Sequence, residues 1–236
     1  MGLQDLTIII PTAGRRWSEL ERCLDSIWDQ VDLPYAVTVV HNHERPIPKV
    51  IQDHEVGHLR VEGPIYRGFN AGVRSAPTKW VMLLGDDDRL PHDTWLKGIA
   101  RYLRPGAPWN YVYHLVIPVE RKGEVRRGTL PSFQGRESEL PGAILAHGRG
   151  LVSHSGAAYL KSLHRTVGWY PEHLRSQGDT WWMCKAALKG ALKVKAYQGD
   201  GPIVGADDKE RVSGVKDERA RTFKLIERMA ERYGKR

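Results

Sequence analysis

The chain has 236 residues, 41% hydrophobic and 27% charged, which suits one sizeable α/β domain or two small ones and excludes a low-complexity chain. No apolar run approaches the roughly 20 residues of a membrane span, and the amino terminus has no basic-then-apolar leader, so a cytoplasmic protein is expected. The net charge of +8 favours polyanionic partners (nucleic acid, an anionic membrane surface or a phosphate-bearing substrate) but does not choose among them, or against a merely solvated basic surface.

Leu6–Pro11 is β-branched and apolar and reads as a buried strand, with Thr12-Ala13-Gly14 as its turn. Trp17, Leu20, Leu24, Ile27, Trp28 and Val31 recur at threes and fours, which predicts an amphipathic helix with Ser18 near its start. Ala36–Val40 is a second strand ending at His41-Asn42-His43-Glu44; a Pro-rich connection, a weak helix and a third strand over His58–Val61 follow. Arg67–Ala76 reads as a helix of small residues, able to pack closely on a sheet or to approach a ligand, and it leads into a strand over Lys79–Leu84.

Beyond that strand, His92–Leu103 is predicted helical with Trp95, Ile99, Tyr102 and Leu103 inward. Tyr111–Val119 is a strand, and Arg121–Arg127, with Gly123, a basic hairpin tip. Residues 129–149 are rich in Gly, Pro and Ser and read as a mobile loop over a site. Gly156–Val167 is predicted helical and Gly168–Glu172 a turn; Asp179–Leu188 is a helix with Asp179 as N-cap and Gly190 as stop. Leu192–Ala196 and Pro202–Val204 are edge strands, and a basic amphipathic helix runs from Val215 to the end with Phe223, Ile226, Met229 and Tyr233 as its stripe. Cys23 and Cys184 are isolated, as buried thiols of a reducing compartment are. The alternation of strand and helix predicts an α/β, Rossmann-like, mostly parallel sheet with helices on both faces.

The strongest local signal is Trp80–Leu84, an apolar run that stops at Gly85-Asp86-Asp87-Asp88. Three adjacent carboxylates repel one another and are tolerable at the wet end of a buried strand, more so with a cation between them. Hard oxygen ligands of this kind suit Mg²⁺ or Mn²⁺, held through one or two carboxylates plus substrate phosphates. The carboxyl edge of a parallel sheet is where such folds place their ligands. A solvated acidic turn that caps the next helix is the competing reading.

Taken together, IIIPTAGR at the amino terminus, the Leu20–Gln30 helix, GFNAGVRSA, LLGDDDRLP and VGWYPEHLRSQGDTWWMCKAALKG resemble the family 2 glycosyltransferases of the GT-A fold, over roughly residues 5 to 190. The resemblance implies a nucleotide-sugar donor, usually a uridine diphosphate sugar, a divalent metal (Mn²⁺ or Mg²⁺) and inversion at the anomeric carbon. It implies a single domain over 1–236: a nucleotide-sugar half over 1–105, an acceptor half over 106–208 and a basic helix over 209–236. Pro11, Thr12 and Ala13 would lie under the base, with Asn42, Arg67 and Asn70 also on the donor side. Asp86, Asp87 and Asp88 would be the Asp-x-Asp motif, Asp86 and Asp88 on the metal and Asp86 and Asp87 on the donor, with Arg15, Arg16 and Arg67 beside the diphosphate. Asp179 would be the general base, with His154, Trp181 and Trp182 on the acceptor side and Glu172 fixing the turn before it. The chain departs from the family at His41-Asn42-His43-Glu44, where Asp-Asp-x-Ser is usual, and at Gly178, where a Glu precedes the base. The late metal-binding His is not evident, and Asp207 or Asp208 could replace it. The implied acceptor is a saccharide or glycolipid hydroxyl, or a hydroxymethylated base of DNA. Two other readings of the residues are a non-catalytic nucleic-acid-binding protein, using the basic segments, and a metal-dependent phosphoryl-transfer enzyme, using the triplet.

Overall fold

The computed structural model describes residues 3–42, 47–53, 55–147, 150–205 and 216–233. A 3-10 turn leads into β1 (Leu6–Thr12), α1 (Trp17–Trp28), β2 (Ala36–His41), α2 (Lys49–Gln52), β3 (Gly57–Arg60), α3 (Ile65–Ser75) and β4 (Trp80–Leu83). Then come α4 (Trp95–Ala100), β5 (Tyr111–Arg121), β6 (Glu124–Thr129), α5 (Leu140–His147), β7 (Ala158–Leu160), α6 (Leu163–Val167), α7 (Gly178–Leu188), β8 (Val194–Asp200), β9 (Val204–Gly205) and α8 (Lys216–Tyr233).

The strands of the described residues form one sheet in the order β3-β2-β1-β4-β7-β5-β6, with β8 and β9 also paired to β5. β3, β2, β1 and β4 run parallel, with Ile8 beside both Val37 and Met82. Helices cover both faces, which is why all seven residues of β1 are buried and why its sequence is a continuous apolar run rather than an alternating one. Ile8 and Ile10 face a core completed by Leu20, Leu24 and Ile27 of α1 and by Trp95 and Ile99 of α4. Ile9 faces the other core, with Val73 of α3, Trp182 of α7 and Ile226 of α8. The small residues of α3 serve this packing: a Cβ on Gly72 would lie 2.5 Å from Ile9 Cγ2, so only glycine lets the helix settle there.

Several segments differ from the sequence reading. Gly156–Val167 is not one helix; Ala158–Leu160 form β7, antiparallel to both β4 and β5, and only Leu163–Val167 are helical. The slot between two strands supplies backbone partners on both sides, and this outweighs the helix propensity of Ala157 and Ala158. Residues 129–147 are no lid: Phe133, Leu140 and Ile144 are buried in the core, and the Tyr113 hydroxyl ties Phe133 N and Pro131 O. The hairpin turn is Lys122-Gly123, with φ of 52° and 78°, so Arg126 and Arg127 stand on the exposed strand β6 instead of at the tip. Val31 lies past the end of α1 and is 60% exposed. Cys23 and Cys184 are free and buried.

Candidate active site

Because β1, β2 and β4 are parallel, their carboxyl ends share one edge of the sheet and bring Thr12, Asn42 and the Gly85–Asp88 turn together. A cavity of about 690 Å³ lies at that edge. One wall is Pro11, Ala13, Arg15, Arg16 and the Asp triplet; the other is Ile65, Tyr66, Phe69 and Asp179, with His154 and Ser155 also lining it. A second cavity, about 320 Å³, shares Pro11, Ala13 and Ile65 with the first and adds Thr12, His41, Asn42 and Arg175. Volumes of this size suit ligands larger than a monosaccharide.

The first wall is an ionic cluster. Arg16, the residue just before α1, reaches Asp86 Oδ1 at 2.5 Å and Asp87 Oδ2 at 2.8 Å. The Thr12 hydroxyl donates to Asp86 Oδ2 at 2.6 Å, so both oxygens of Asp86 are engaged. Burial pushes the Asp86 carboxyl above its ordinary pKa, against the opposing pull of Thr12 and Arg16. Asp88 turns back on the strand end, where its Oδ2 accepts from the Gly85 amide at 3.2 Å and from the Ser155 hydroxyl.

Asp179 apart, the second wall is built from neutral groups. Asp179 lies in the first turn of α7 and is not its cap: the N-cap is Gln177, with φ 58° and ψ 14°, and no side chain caps the helix. Asp179 Oδ1 instead accepts from the Tyr66 hydroxyl at 3.2 Å, and no cation pairs with it among the described residues. Beneath lies a buried chain of hydrogen bonds. The Gly168 carbonyl can only accept, so His164 carries its proton on Nδ1 and its Nε2 accepts from Tyr159 at 3.3 Å. Tyr159 accepts from Tyr170 at 2.8 Å, and Tyr170 accepts from His154 Nε2 at 3.0 Å. Burial lowers the pKa of His154, and lowers that of His164 to about 4, so both rings are neutral.

These contacts revise several expected roles. His154 lines the cavity, but its nitrogens are bound to Tyr111 and Tyr170, so it offers the ring and not a hydrogen bond. Trp182 is fully buried and donates to the Gly168 carbonyl at 2.7 Å; it is a core residue. Trp181 packs on the core under Lys185, whose ammonium lies 4.9 Å from the ring centre, and it does not line the cavity. Asn70 is also fully buried and bonds Tyr170 N, Tyr170 O and Glu172 Oε1, so it pins α3 to the turn that Glu172 was expected to fix. Arg67 is exposed, extends over Gly63 and lines neither cavity. Pro11, Thr12, Ala13, Arg15, Asn42, the Asp triplet and Asp179 all lie at the cavities. His43, Glu44, Asp207 and Asp208 are outside the described residues. Sequence reasoning missed Tyr66, Ser155 and Arg175. The first sits in the same helix as the GFNAG motif, and nothing in the local pattern marks its partner.

The carboxylates supply hard oxygen donors, yet no group of three His, Cys, Asp or Glu side chains is placed to hold a metal ion among the described residues. Nor is any helix among them long and apolar enough to cross a membrane.

The sequence matches the family model described as Glycosyl transferase family 2 over residues 7–168. No curated protein sequence matches it. Among solved structures, S. aureus TarS 1–349 in complex with UDP-GlcNAc superimposes with a TM-score of 0.69 at 16% identity, covering 95% of this chain and 66% of TarS 1–349. Glucosyl-3-phosphoglycerate synthase from Mycobacterium tuberculosis, in complex with Mn²⁺, UDP and glucosyl-3-phosphoglycerate, gives 0.63 at 14% identity, covering 97% and 80%. The mannosyltransferase PcManGT from Pyrobaculum calidifontis, in complex with GDP-Man and Mn²⁺, gives 0.61 at 17% identity, covering 97% and 64%. The chain thus spans just under two thirds of the TarS 1–349 and PcManGT chains. At these identities the likeness is one of fold, the GT-A fold.

Proposed function

The chain belongs to glycosyl transferase family 2, and from that premise we propose that it moves a sugar from a nucleoside-diphosphate donor to an acceptor hydroxyl, with inversion at the anomeric carbon. One observation carries the reading: Asp179 and the Asp86–Asp88 turn, from opposite halves of the chain, line one cavity.

The nucleotide base lies in the smaller cavity, beside Asn42. An amide offers an NH2 donor group beside a carbonyl acceptor, which matches the adjacent carbonyl and N–H of uracil. Guanine presents the same pair and adds a second N–H beside it, which calls for a carboxylate, and none lines that cavity among the described residues. This favours a UDP-sugar, the donor class named for TarS, over the GDP-Man named for PcManGT. Arg15 and Arg16 face the diphosphate, where fixed cations oppose the charge that develops as it leaves. The acceptor hydroxyl sits at Asp179. Its proton passes to the Asp179 carboxylate, its oxygen bonds the anomeric carbon from the far side, and the bond from that carbon to the diphosphate oxygen breaks with both electrons going to the diphosphate.

A divalent cation belongs to this reading, as two of the similar structures are described with Mn²⁺. Asp86 and Asp88 would hold Mn²⁺ or Mg²⁺ with diphosphate oxygens as further ligands, a donor set suited to a hard cation. Arg16 draws on the same Asp86 carboxylate. When bound, such a cation neutralises charge on the leaving group. The acceptor we favour is a saccharide or glycolipid hydroxyl.

Calorimetry with UDP, with and without Mn²⁺, tests the donor side: metal-dependent binding is expected, and its absence overturns the reading. An acceptor screen that includes hydroxymethylated DNA then separates a saccharide acceptor from a nucleic-acid one.

A further inference from the structure

The residue before Asp179 is a glycine where the family resemblance leads one to expect a glutamate. The structure shows what fills the space. A Cβ on Gly178 would lie 2.7, 2.8 and 2.9 Å from three carbons of the Tyr66 ring, so no side chain fits there while the ring stays. The ring is held in place, edge-on to Phe69 with centroids 5.3 Å apart and tilted against Tyr170 at 6.1 Å. Its hydroxyl accepts from the Gly178 amide at 2.8 Å and donates to Asp179 Oδ1 at 3.2 Å. Burial, then the Asp179 charge, raises the phenol well above its ordinary pKa, so it keeps its proton and acts as a donor. Gln177 completes the arrangement in a left-handed conformation, unusual for a residue with a side chain. Backbone conformation of this kind persists where surrounding contacts over-determine it.

We propose that Tyr66 is the positioning residue for Asp179: its hydroxyl anchors Oδ1 and the α7 amide together, leaves the other carboxylate oxygen to the acceptor, and replaces the side chain that Gly178 lacks. The inference rests on Asp179 being the base. Tyr66 does not touch the reacting atoms. It acts by fixing the direction of the carboxylate and by donating a hydrogen bond to its charge.

Two replacements move the effect in opposite directions. Tyr66→Phe keeps the ring and removes the hydroxyl, so the acid limb of the kcat/KM profile moves to higher pH and kcat falls on the order of tenfold, the size expected for one hydrogen bond to a charged group; donor KM stays unchanged. Incorporating 3-fluorotyrosine at position 66 makes the hydroxyl a stronger donor at almost the same size, and the acid limb moves to lower pH. Matching melting temperatures show that the fold is kept. If Tyr66→Phe does not fold, the fluorinated protein alone decides. An acid limb that stays at its wild-type position in a folded protein overturns the proposal while leaving the glycosyl-transfer reading intact. A wild-type chain that neither transfers sugar nor hydrolyses any donor overturns both.

Discussion

The two walls of the cavity carry the same residue type and put it to different uses. On the β4 side, Asp86 and Asp87 are bridged by Arg16, and Asp86 also takes the Thr12 hydroxyl. On the α7 side, Asp179 has a phenol for a partner, and beneath it lies a column of neutral rings, His154, Tyr170, Tyr159 and His164. A carboxylate clamped by a guanidinium has little use as a proton acceptor but suits holding position and charge. A carboxylate beside a phenol, with no cation paired to it among the described residues, keeps an oxygen able to accept. The difference teaches that the partner, more than the aspartate, sets the role.

The largest expected effect tests that division directly. Asp179→Asn should lower transfer on the order of 10³-fold, within the range for loss of a general base, and leave UDP affinity within about twofold. Steady-state kinetics beside calorimetry reads both; a variant that turns over normally makes the two walls equivalent and ends the comparison.

The walls should also answer acid with opposite signs. Burial holds His164 at a pKa of about 4, against an ordinary 6.5, so between those values the unfolded chain binds a proton that the folded chain refuses. Stability from His164 is therefore full above pH 6.5 and is lost as pH falls towards 4, by about 3 kcal/mol. Denaturant unfolding across this window should show the loss, and His164→Gln should remove His164's share of it, burial of His154 and His114 supplying the rest. A slope unchanged by the substitution would take His164 out of the acid response.

Arg16→Met leaves Asp86 and Asp87 without the cation that bridges them. Their side chains are 6% and 12% exposed and that of Arg16 is 27% exposed, so the loss should be about 2 kcal/mol, below the range for a wholly buried pair. An unchanged melting temperature would show that solvent already screens this wall. The smallest change, and the sharpest contrast, is Asp86→Asn. Because burial raises the Asp86 pKa, the folded state keeps that proton to higher pH than the unfolded chain. Stability from the group is present below its unfolded pKa and is lost as pH rises through the folded one, so at neutral pH the charge is a burden. The amide should therefore raise the melting temperature slightly at pH 7 while weakening Mn²⁺-dependent UDP binding. A fall in melting temperature would mean that Arg16 and Thr12 more than offset burial.

Much of the first half was legible along the chain. Leu6–Pro11, Ala36–Val40 and Lys79–Leu84 are short apolar runs bounded by turn residues, and each is a strand within one or two residues of its expected ends. Thr12, Asn42 and the Asp triplet follow such strands directly, so once the strands are parallel their common edge is implied. The second half was harder to read. Ala158–Leu160 look helical, and only the slot between β4 and β5 makes them a strand. Trp181 and Trp182 beside Asp179 suggested an acceptor platform, but the rotation of α7 on the sheet turns Trp182 into the core. Asn70 suggested a ligand contact and proved to be a buried tie between α3 and the turn at Tyr170.

Apolar runs, turn residues and the placing of aspartates behind strands are matters of near neighbours, and the order of residues settles them because each depends on a few consecutive side chains and their burial. Which aspartate meets a guanidinium and which a phenol is another kind of fact. Arg16 and Asp86 are 70 residues apart and Tyr66 and Asp179 are 113 apart. No short-range pattern connects such pairs, because their meeting depends on how α1, α3 and α7 dock on a shared sheet. The order of residues supplied the carboxylates; the docking of those helices supplied their partners, and with them their chemistry.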